Sequence, residues 1–334
     1  MPAFAPRFGS KPAGGVRDFD DFCRTALGPQ LAELERRRRV VLVFIVLAGG
    51  CALASAAFFA LAPSGPLHGI HRLLPLTLLG TVVLGVVGWW KQSGYRRDFK
   101  QEIMPEIVRF VSPGVVYSAD DGVRQSTFVA GAIFPRGIDR YSAEDRVAGQ
   151  IGKTPFEFSE VHAEYKTESS NDEGKRSTEW HTIFRGLYFV ADFNKDFRTH
   201  TVVLPDRLER FGFLGRALQK MNTSRGQLVS LEDPEFERAF VVYGDDQVEA
   251  RYILTPALMQ RMLALRSKVK GPVFFAFSGS AVHVAIRSRQ DHFEPTIWRS
   301  IRNPQRLAEC CADLRLLIGM VEDLDLNTRI WTKV

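Results

Sequence analysis

The chain has 334 residues, 45% hydrophobic and 25% charged, with a formal net charge of +6. That charge is unevenly spread: residues 1–90 hold nine Lys/Arg against five Asp/Glu, and residues 91–334 hold 35 against 33. A nearly balanced C-terminal region excludes a general nucleic-acid binder, which needs its cationic excess on the folded domain itself. The four cysteines, Cys23, Cys51, Cys310 and Cys311, have the spacing of neither a disulfide framework nor a C-x-x-C metal site.

Residues 1–16 are rich in Pro, Gly and Ala and read as disordered. Helical stretches over 18–27 and 29–39 are broken at Gly28-Pro29; Phe19, Phe22, Leu31 and Leu34 either lie on a membrane surface or belong to a helical extension of the first span with no lipid role. The first apolar run, Val40–Ala62, has no charge over 23 residues. As a helix it extends about 34 Å, enough for a hydrocarbon core of about 30 Å. A second run, Leu73–Trp90, ends on Trp89 and Trp90, residues suited to the interfacial belt.

Four arginines, Arg36, Arg37, Arg38 and Arg39, stand directly before the first span, and Lys91, Arg96, Arg97 and Lys100 follow the second. The short loop between the spans has one arginine. Positive-inside logic therefore places both termini in the cytoplasm of a multi-pass protein of the cytoplasmic (inner) membrane. Neither span contains Asp, Glu, Lys, Arg or His, so the pair reads as an anchor and not a conduit. Ala48, Ala52, Ala56 and Ala60 make a small-residue face that Gly80, Gly85 and Gly88 are expected to meet.

The expected organisation is a tail over 1–39, a transmembrane hairpin over 40–90, a helical stalk over 91–116 and a cytoplasmic α+β domain over 117–334. Strands are predicted at Phe156–Lys166, Thr182–Ala191, Thr201–Leu204, Val273–Phe277 and Ala281–Ile286, the last two joined at Ser278-Gly279-Ser280. Residues 167–179 read as a polar loop. Asp233-Pro234, Thr255-Pro256 and Asn303-Pro304 each open a helix, the last a long amphipathic one with Leu307, Cys311, Leu314, Ile318 and Val321 on one face. Antiparallel strands with helices between and after them give α+β, with a small barrel closed by the terminal helix as one topology.

Several blocks resemble a bacterial membrane-protein family catalogued only as a domain of unknown function. They are Phe184-Arg185-Gly186-Leu187-Tyr188-Phe189-Val190-Ala191-Asp192-Phe193-Asn194-Lys195, then 201–206, 231–236, 242–252 and the ending Asn327-Thr328-Arg329-Ile330-Trp331-Thr332-Lys333. The resemblance covers about 100 to 333 and extends to the paired N-terminal spans. It implies a bacterial membrane protein and no particular reaction.

Two polar groups are candidates for chemistry. Asp192 and His200, in a turn with Asn194, Lys195 and Asp196, are placed as an acid–base pair. Asp245, Asp246 and Glu249 supply carboxylates at a turn, the ligand type of Mg²⁺ or Ca²⁺. Each group also has a plainer reading: a hydrogen-bonded turn, and a solvated turn. Tyr243-Gly244-Asp245-Asp246 is similar to the metal-binding tetrapeptide of RNA-directed RNA polymerases, but the rest of such an enzyme is missing. No phosphate loop, G-x-S-x-G elbow or His-based metal motif occurs, so no cofactor is expected. The expected role is that of a non-enzymatic interaction or scaffold module, with the lipid bilayer and a membrane or cytoplasmic protein as partners. The alternative is a tethered enzyme acting on lipid or a cytoplasmic small molecule.

Overall fold

The computed structural model describes residues 16–61, 73–170, 176–206 and 226–327. They form two compact units: one ends at Ile107 and also takes in Phe293–Ala312, and the other comprises Val108–His292 with the segment from Asp313 onward. The tail expected to be disordered over 1–16 lies, except for Val16, outside the described residues, as do the loop between the spans and Arg329 and Trp331.

In the first unit, α1 (Val16–Thr25) is separated from α2 (Gly28–Leu61) at Ala26-Leu27, so that Gly28-Pro29, the expected break, instead opens α2. Helix α3 (Leu74–Asp98) continues through a π-helical turn (Phe99–Ile103) into α4 (Met104–Val111). Two helical stretches, Gly28–Ala60 and Leu74–Val111, are long and apolar enough to cross a membrane, and only 11% and 6% of their most apolar windows are buried.

Helices α2 and α3 pack antiparallel. Ser55 Oγ meets Thr77 Oγ1 at 2.8 Å, Gly80 faces Cys51, Gly88 faces Phe44, and Arg37 pairs with Asp98. The contact stripe is thus Phe44, Cys51 and Ser55, one helical step away from the predicted alanine face. Ala52, Ala56 and Ala60 are exposed, and Gly85 has open space around it. The Ser55–Thr77 hydrogen bond and the close approaches at Gly80 and Gly88 accompany this rotation.

Phe19, Leu31 and Leu34 are buried inside this unit and Phe22 is half-buried, and α2 runs unbroken from Gly28 to Leu61, in keeping with the helical extension and not with the lipid surface. Their helices supply apolar faces to a protein core. Cys310 is also buried here, 3.5 Å from the Met104 sulfur.

The second unit is built on a nine-stranded antiparallel sheet of order β1-β2-β3-β4-β9-β8-β5-β7-β6. The strands are β1 (Val115–Ser118), β2 (Arg140–Ile151), β3 (Thr154–Ser170), β4 (Arg176–Asp192), β5 (Thr201–Pro205), β6 (Gln227–Val229), β7 (Phe240–Gly244), β8 (Val273–Ser278) and β9 (Ala281–Arg287). All five predicted strands are present, and Gly279, at φ +58°, supplies the tight β8–β9 turn. Among the described residues the end strands β1 and β6 are not paired with each other, so the sheet they form is open and not the closed barrel. The polar stretch 167–179 is mostly strand: β3 and β4 pair out to Ser170 and Arg176. Cross-strand hydrogen bonding carries this ribbon beyond the apolar pattern, leaving its outer residues exposed.

One sheet face carries Val161, Ala163, Tyr188, Val202, Phe274 and Ala285 beneath Phe128 of the short helix α5 (Gln125–Ala130). The opposite face carries Phe189, Phe275 and Val284, all fully buried. Phe240 meets Phe275 edge-on there, with the Arg266 guanidinium above the Phe240 ring. Arg266 belongs to α8 (Pro256–Lys268), whose N-cap Thr255 accepts from Leu258 N–H. Two shorter helices, α6 (Pro234–Ala239) and α7 (Gln247–Ile253), are capped by Asp233 and Asp246. The C-terminal helix α9 (Pro304–Asp323) has its last turns in this unit, held by Lys268–Asp323 and Arg261–Asp325 pairs. Asn327 docks on the β2–β3 turn, accepting from Lys153 N–H.

Candidate functional site

The sequence-designated carboxylates converge, but on the backbone. Glu249 accepts from the N–H groups of Arg198 and Thr199 and from the Thr199 hydroxyl at 2.6 Å. Asp246 caps α7 through Val248 and Glu249 N–H. Asp245 lies 3.4 Å from His200 Nδ1 and accepts from His200 N–H. Asp192 sits at the end of β4 opposite Ala281. The structure therefore joins His200 to Asp245 across two loops, an association not anticipated from the sequence. Among the described residues no group of three or more His, Cys, Asp or Glu has metal-holding geometry.

A different site emerges where β2 bulges. The β2–β3 register passes from Glu144↔Glu160 to Val147↔Phe158, so Asp145 and Arg146 oppose a single residue. Asp145 adopts φ +59° and is completely buried. Its N–H bonds Ala119 O, Arg146 N–H bonds Asp121 O, and the Tyr117 hydroxyl donates to its carboxylate. A non-glycine residue in the left-handed region is costly, and here several hydrogen bonds hold it there.

The bulge brings Asp145 near Glu160. Glu160 Oε1 accepts from His292 N–H at 2.6 Å. Burial, reinforced by the Asp145 charge, pushes the Glu160 carboxyl up to about 7, against a weaker opposing pull from His292. Glu160 lines a polar cleft of about 150 Å³ together with Ser142, Glu144, His162, Arg185 and Asp291. That is room for about five waters, or for one small polar group. Ser142↔His162↔Arg185 and Glu144↔Glu160 form adjacent rungs across β2, β3 and β4, and the Arg185–Asp291 ion pair at 2.8 Å closes one wall.

Beside this wall lies a chain of three side chains. Ser288 Oγ is 2.9 Å from His292 Nε2, and His292 Nδ1 is 2.8 Å from Asp313 Oδ2. With the Nδ1 hydrogen donated to Asp313 Oδ2, Nε2 is left to accept from the Ser288 hydroxyl. Gly186 makes this placement possible. It has φ +146°, and a Cβ there would overlap the Ile286 carbonyl oxygen and lie 2.6 Å from Ser288 N.

A second buried polar chain lies in the core. Ser278 donates to Ala130 O at 2.8 Å, and His283 Nε2 lies 3.2 Å from Ser278 Oγ. Tyr188 lies 3.1 Å from His283 Nδ1. Burial lowers the His283 pKa to about 4 and raises that of Tyr188, so both stay neutral and the chain is structural.

Sequence reading missed the cleft. The Ser288-x-x-x-His292 spacing was visible, but Asp145 depends on a bulge, and Asp313 is distant along the chain.

An acid whose folded pKa lies above its usual 4.5 binds more protons folded than unfolded between pH 4.5 and 7. Stability therefore falls as pH rises through that window and levels off above it. Glu144, Asp145, Asp291, His162, His292 and Arg185 surround the group. Glu160→Gln is expected to unfold at a higher temperature than the wild type at pH 8, the gap closing near pH 5. Parallel thermal unfolding curves across pH 5–8 would contradict the assignment.

No curated protein and no solved structure matches the chain. Residues 182–326, from β4 to just beyond α9, match the model of the family described as "Protein of unknown function (DUF3137)". Over that stretch the chain is similar to a family catalogued only as a domain of unknown function, and Gly186, Ser288, His292 and Asp313 fall within the matched residues.

Proposed function

We propose that this protein is a membrane-anchored interaction module. In this reading the α2–α3 hairpin crosses the cytoplasmic membrane, both termini lie on the cytoplasmic side, and the sheet unit binds a membrane or cytoplasmic protein. The observation that carries the reading is the hairpin's surface. Val46, Leu53, Phe59, Leu76 and Val82 are all exposed apolar side chains, whereas basic residues gather at one end of the two helices. Water penalises such a surface at about 25 cal/mol per Å², and lipid does not. The exposed outer ribbon of β3 and β4 supports a binding role.

The test uses the full chain with its own cysteines replaced. His68→Cys should react with a membrane-impermeant maleimide in intact cells, and Lys270→Cys only after lysis. The reverse labelling pattern would refute the orientation, and release of the chain by alkaline carbonate would refute the anchor. A photo-crosslinker at Thr178 tests the binding role through a discrete adduct.

A second reading, a tethered enzyme acting on an acyl ester or amide, is favoured by the Ser288–His292–Asp313 distances. Ser288 Oγ would add to a carbonyl carbon, its proton passing to His292 Nε2 and then to the leaving group. Water would then release the acyl group and restore Ser288. It ranks second because the nearby His292 amide is already donated to Glu160. A fluorophosphonate should label Ser288 in the detergent-solubilised chain, with labelling lost in Ser288→Ala and reduced at least about a hundredfold in His292→Ala. Absence of labelling in the folded wild type removes this reading.

A further inference from the structure

The eight basic residues flanking the spans do not form one uniform belt. Arg38 turns to Glu35 and the Ile297 carbonyl, and Arg39 lies against Glu35. Arg96 and Lys100 face Glu294. The remaining four, Arg36, Arg37, Lys91 and Arg97, line one groove of about 610 Å³ between α2 and α3.

The groove's chemistry is graded along its length. At one end stand Val40 and the exposed Trp90, where the apolar surface of the hairpin begins. Toward the other end come Lys91, then Arg36 and Arg97, and lastly Glu33 and Gln101. Seven residues from Val40 back to Glu33 correspond to about 10 Å of helix. The headgroup layer on each side of a bilayer is about 5–8 Å thick.

Arg37 is committed to Asp98 and Glu33. Arg36 is 80% exposed and reaches Glu33 only at 3.5 Å. Among the described residues Arg97 makes no ion pair, and the Lys91 ammonium lies 5.1 Å above the Trp90 ring. Two guanidiniums and an ammonium are thus available around a cavity whose floor is apolar at one end.

We propose that this groove binds the headgroup phosphate of an anionic phospholipid, with its acyl chains leaving past Val40 and Trp90 along the hairpin. Arg36 and Arg97 hold the phosphate oxygens in charge-assisted pairs, a geometry that guanidinium forks favour. Lys91 meets the second charge or the glycerol hydroxyls of the headgroup, and Trp90 lies at the glycerol level. The inference rests on the hairpin's insertion in a bilayer, and adds to that reading which lipid chemistry the anchor selects.

Gly94 provides a decisive variant. It lines the groove, and a Cβ built on it meets nothing within 4 Å. Gly94→Leu therefore fills the groove without straining the helix or changing a charge. Arg39→Gln is the matching control, because Arg39 is 72% exposed in the same arginine run but does not line the groove.

The experiment is native mass spectrometry of the full chain in detergent, with phosphatidylglycerol and phosphatidylcholine added in equal amounts. The wild type should retain one phosphatidylglycerol with about tenfold preference over phosphatidylcholine. Gly94→Leu and the double variant Arg36→Gln/Arg97→Gln should bring the preference close to one, and Arg39→Gln should leave it unchanged. Equal loss in Arg39→Gln would replace the site by diffuse attraction, and full retention in Gly94→Leu would place the lipid elsewhere. Displacement by millimolar inorganic phosphate would overturn the lipid assignment in favour of a free-anion site. A chain that resists carbonate extraction yet shows no lipid preference overturns this proposal alone, whereas a chain released by carbonate overturns the anchor first.

Discussion

Gly186→Ala is expected to lower the stability of the sheet unit by about 3–5 kcal/mol, among the largest effects a single methyl group can have. The added Cβ would overlap the Ile286 carbonyl oxygen and press on Ser288 N, both backbone atoms in a paired strand and its continuation. Neither can move without breaking the β4–β9 ladder or the Ser288 N–H bond to Arg185 O. Thermal unfolding of the detergent-solubilised full chain should show a midpoint drop of about 10 °C. Gly279→Ala provides the scale. It too has a left-handed φ, but open space surrounds its Cβ position, so only the conformational cost of about 1 kcal/mol applies. A Gly186→Ala midpoint within two degrees of the wild type would show that the strand and the Ser288 turn can separate freely. Because the same clash displaces Ser288, any labelling of that hydroxyl should disappear at temperatures where the variant is still folded.

The second large effect divides the arginine run. Arg38→Ala should cost about 3 kcal/mol, and Arg36→Ala less than about 0.5. Arg38 is nearly buried and grips Glu35 through two nitrogens at 2.9 and 2.7 Å, with a third contact to Ile297 O. Glu35 also accepts from the Ser300 hydroxyl and Ile301 N–H. Removing the guanidinium leaves a buried carboxylate facing the outermost, exposed Arg39. The double variant Glu35→Gln/Arg38→Met should recover much of the loss, since the penalty lies in the uncompensated charge and not in the missing pair. Equal effects of Arg36→Ala and Arg38→Ala in thermal unfolding would mean that the run acts as an undivided basic flank.

These two residues mark how far the sequence could be read. Gly186 stood within a recognisable block, but its necessity comes from Ile286 and Ser288, about a hundred residues later. Arg38 was legible as one of four adjacent cations. Only α2's rotation distinguishes it, turning Arg38 and its neighbour Glu35 toward Ile297, Ser300 and Ile301 while Arg36 lines the groove. Strand β2 was missed because its bulge and half-exposed face break the two-residue alternation. β6 and β7, at three and five residues, give too short a pattern to register. In contrast, Thr255-Pro256 and Asp233-Pro234 announced their helices correctly because capping is a contact between near neighbours.

By itself, then, the sequence determined what depends on local order: two long apolar helices, a break next to Gly28, the capped helices, five strands and the β8–β9 turn. Tertiary structure alone decided which carboxylates matter. Asp245, Asp246 and Glu249 looked available for ligands, yet they are bound to His200 and to backbone N–H groups. Asp145 and Glu160, silent in the sequence, share a buried corner beside the 288–292 segment. The physical reason is that hydrogen bonding and desolvation act through space. A carboxylate's role follows from what surrounds it, and those surroundings are assembled from strands and turns far apart in the chain.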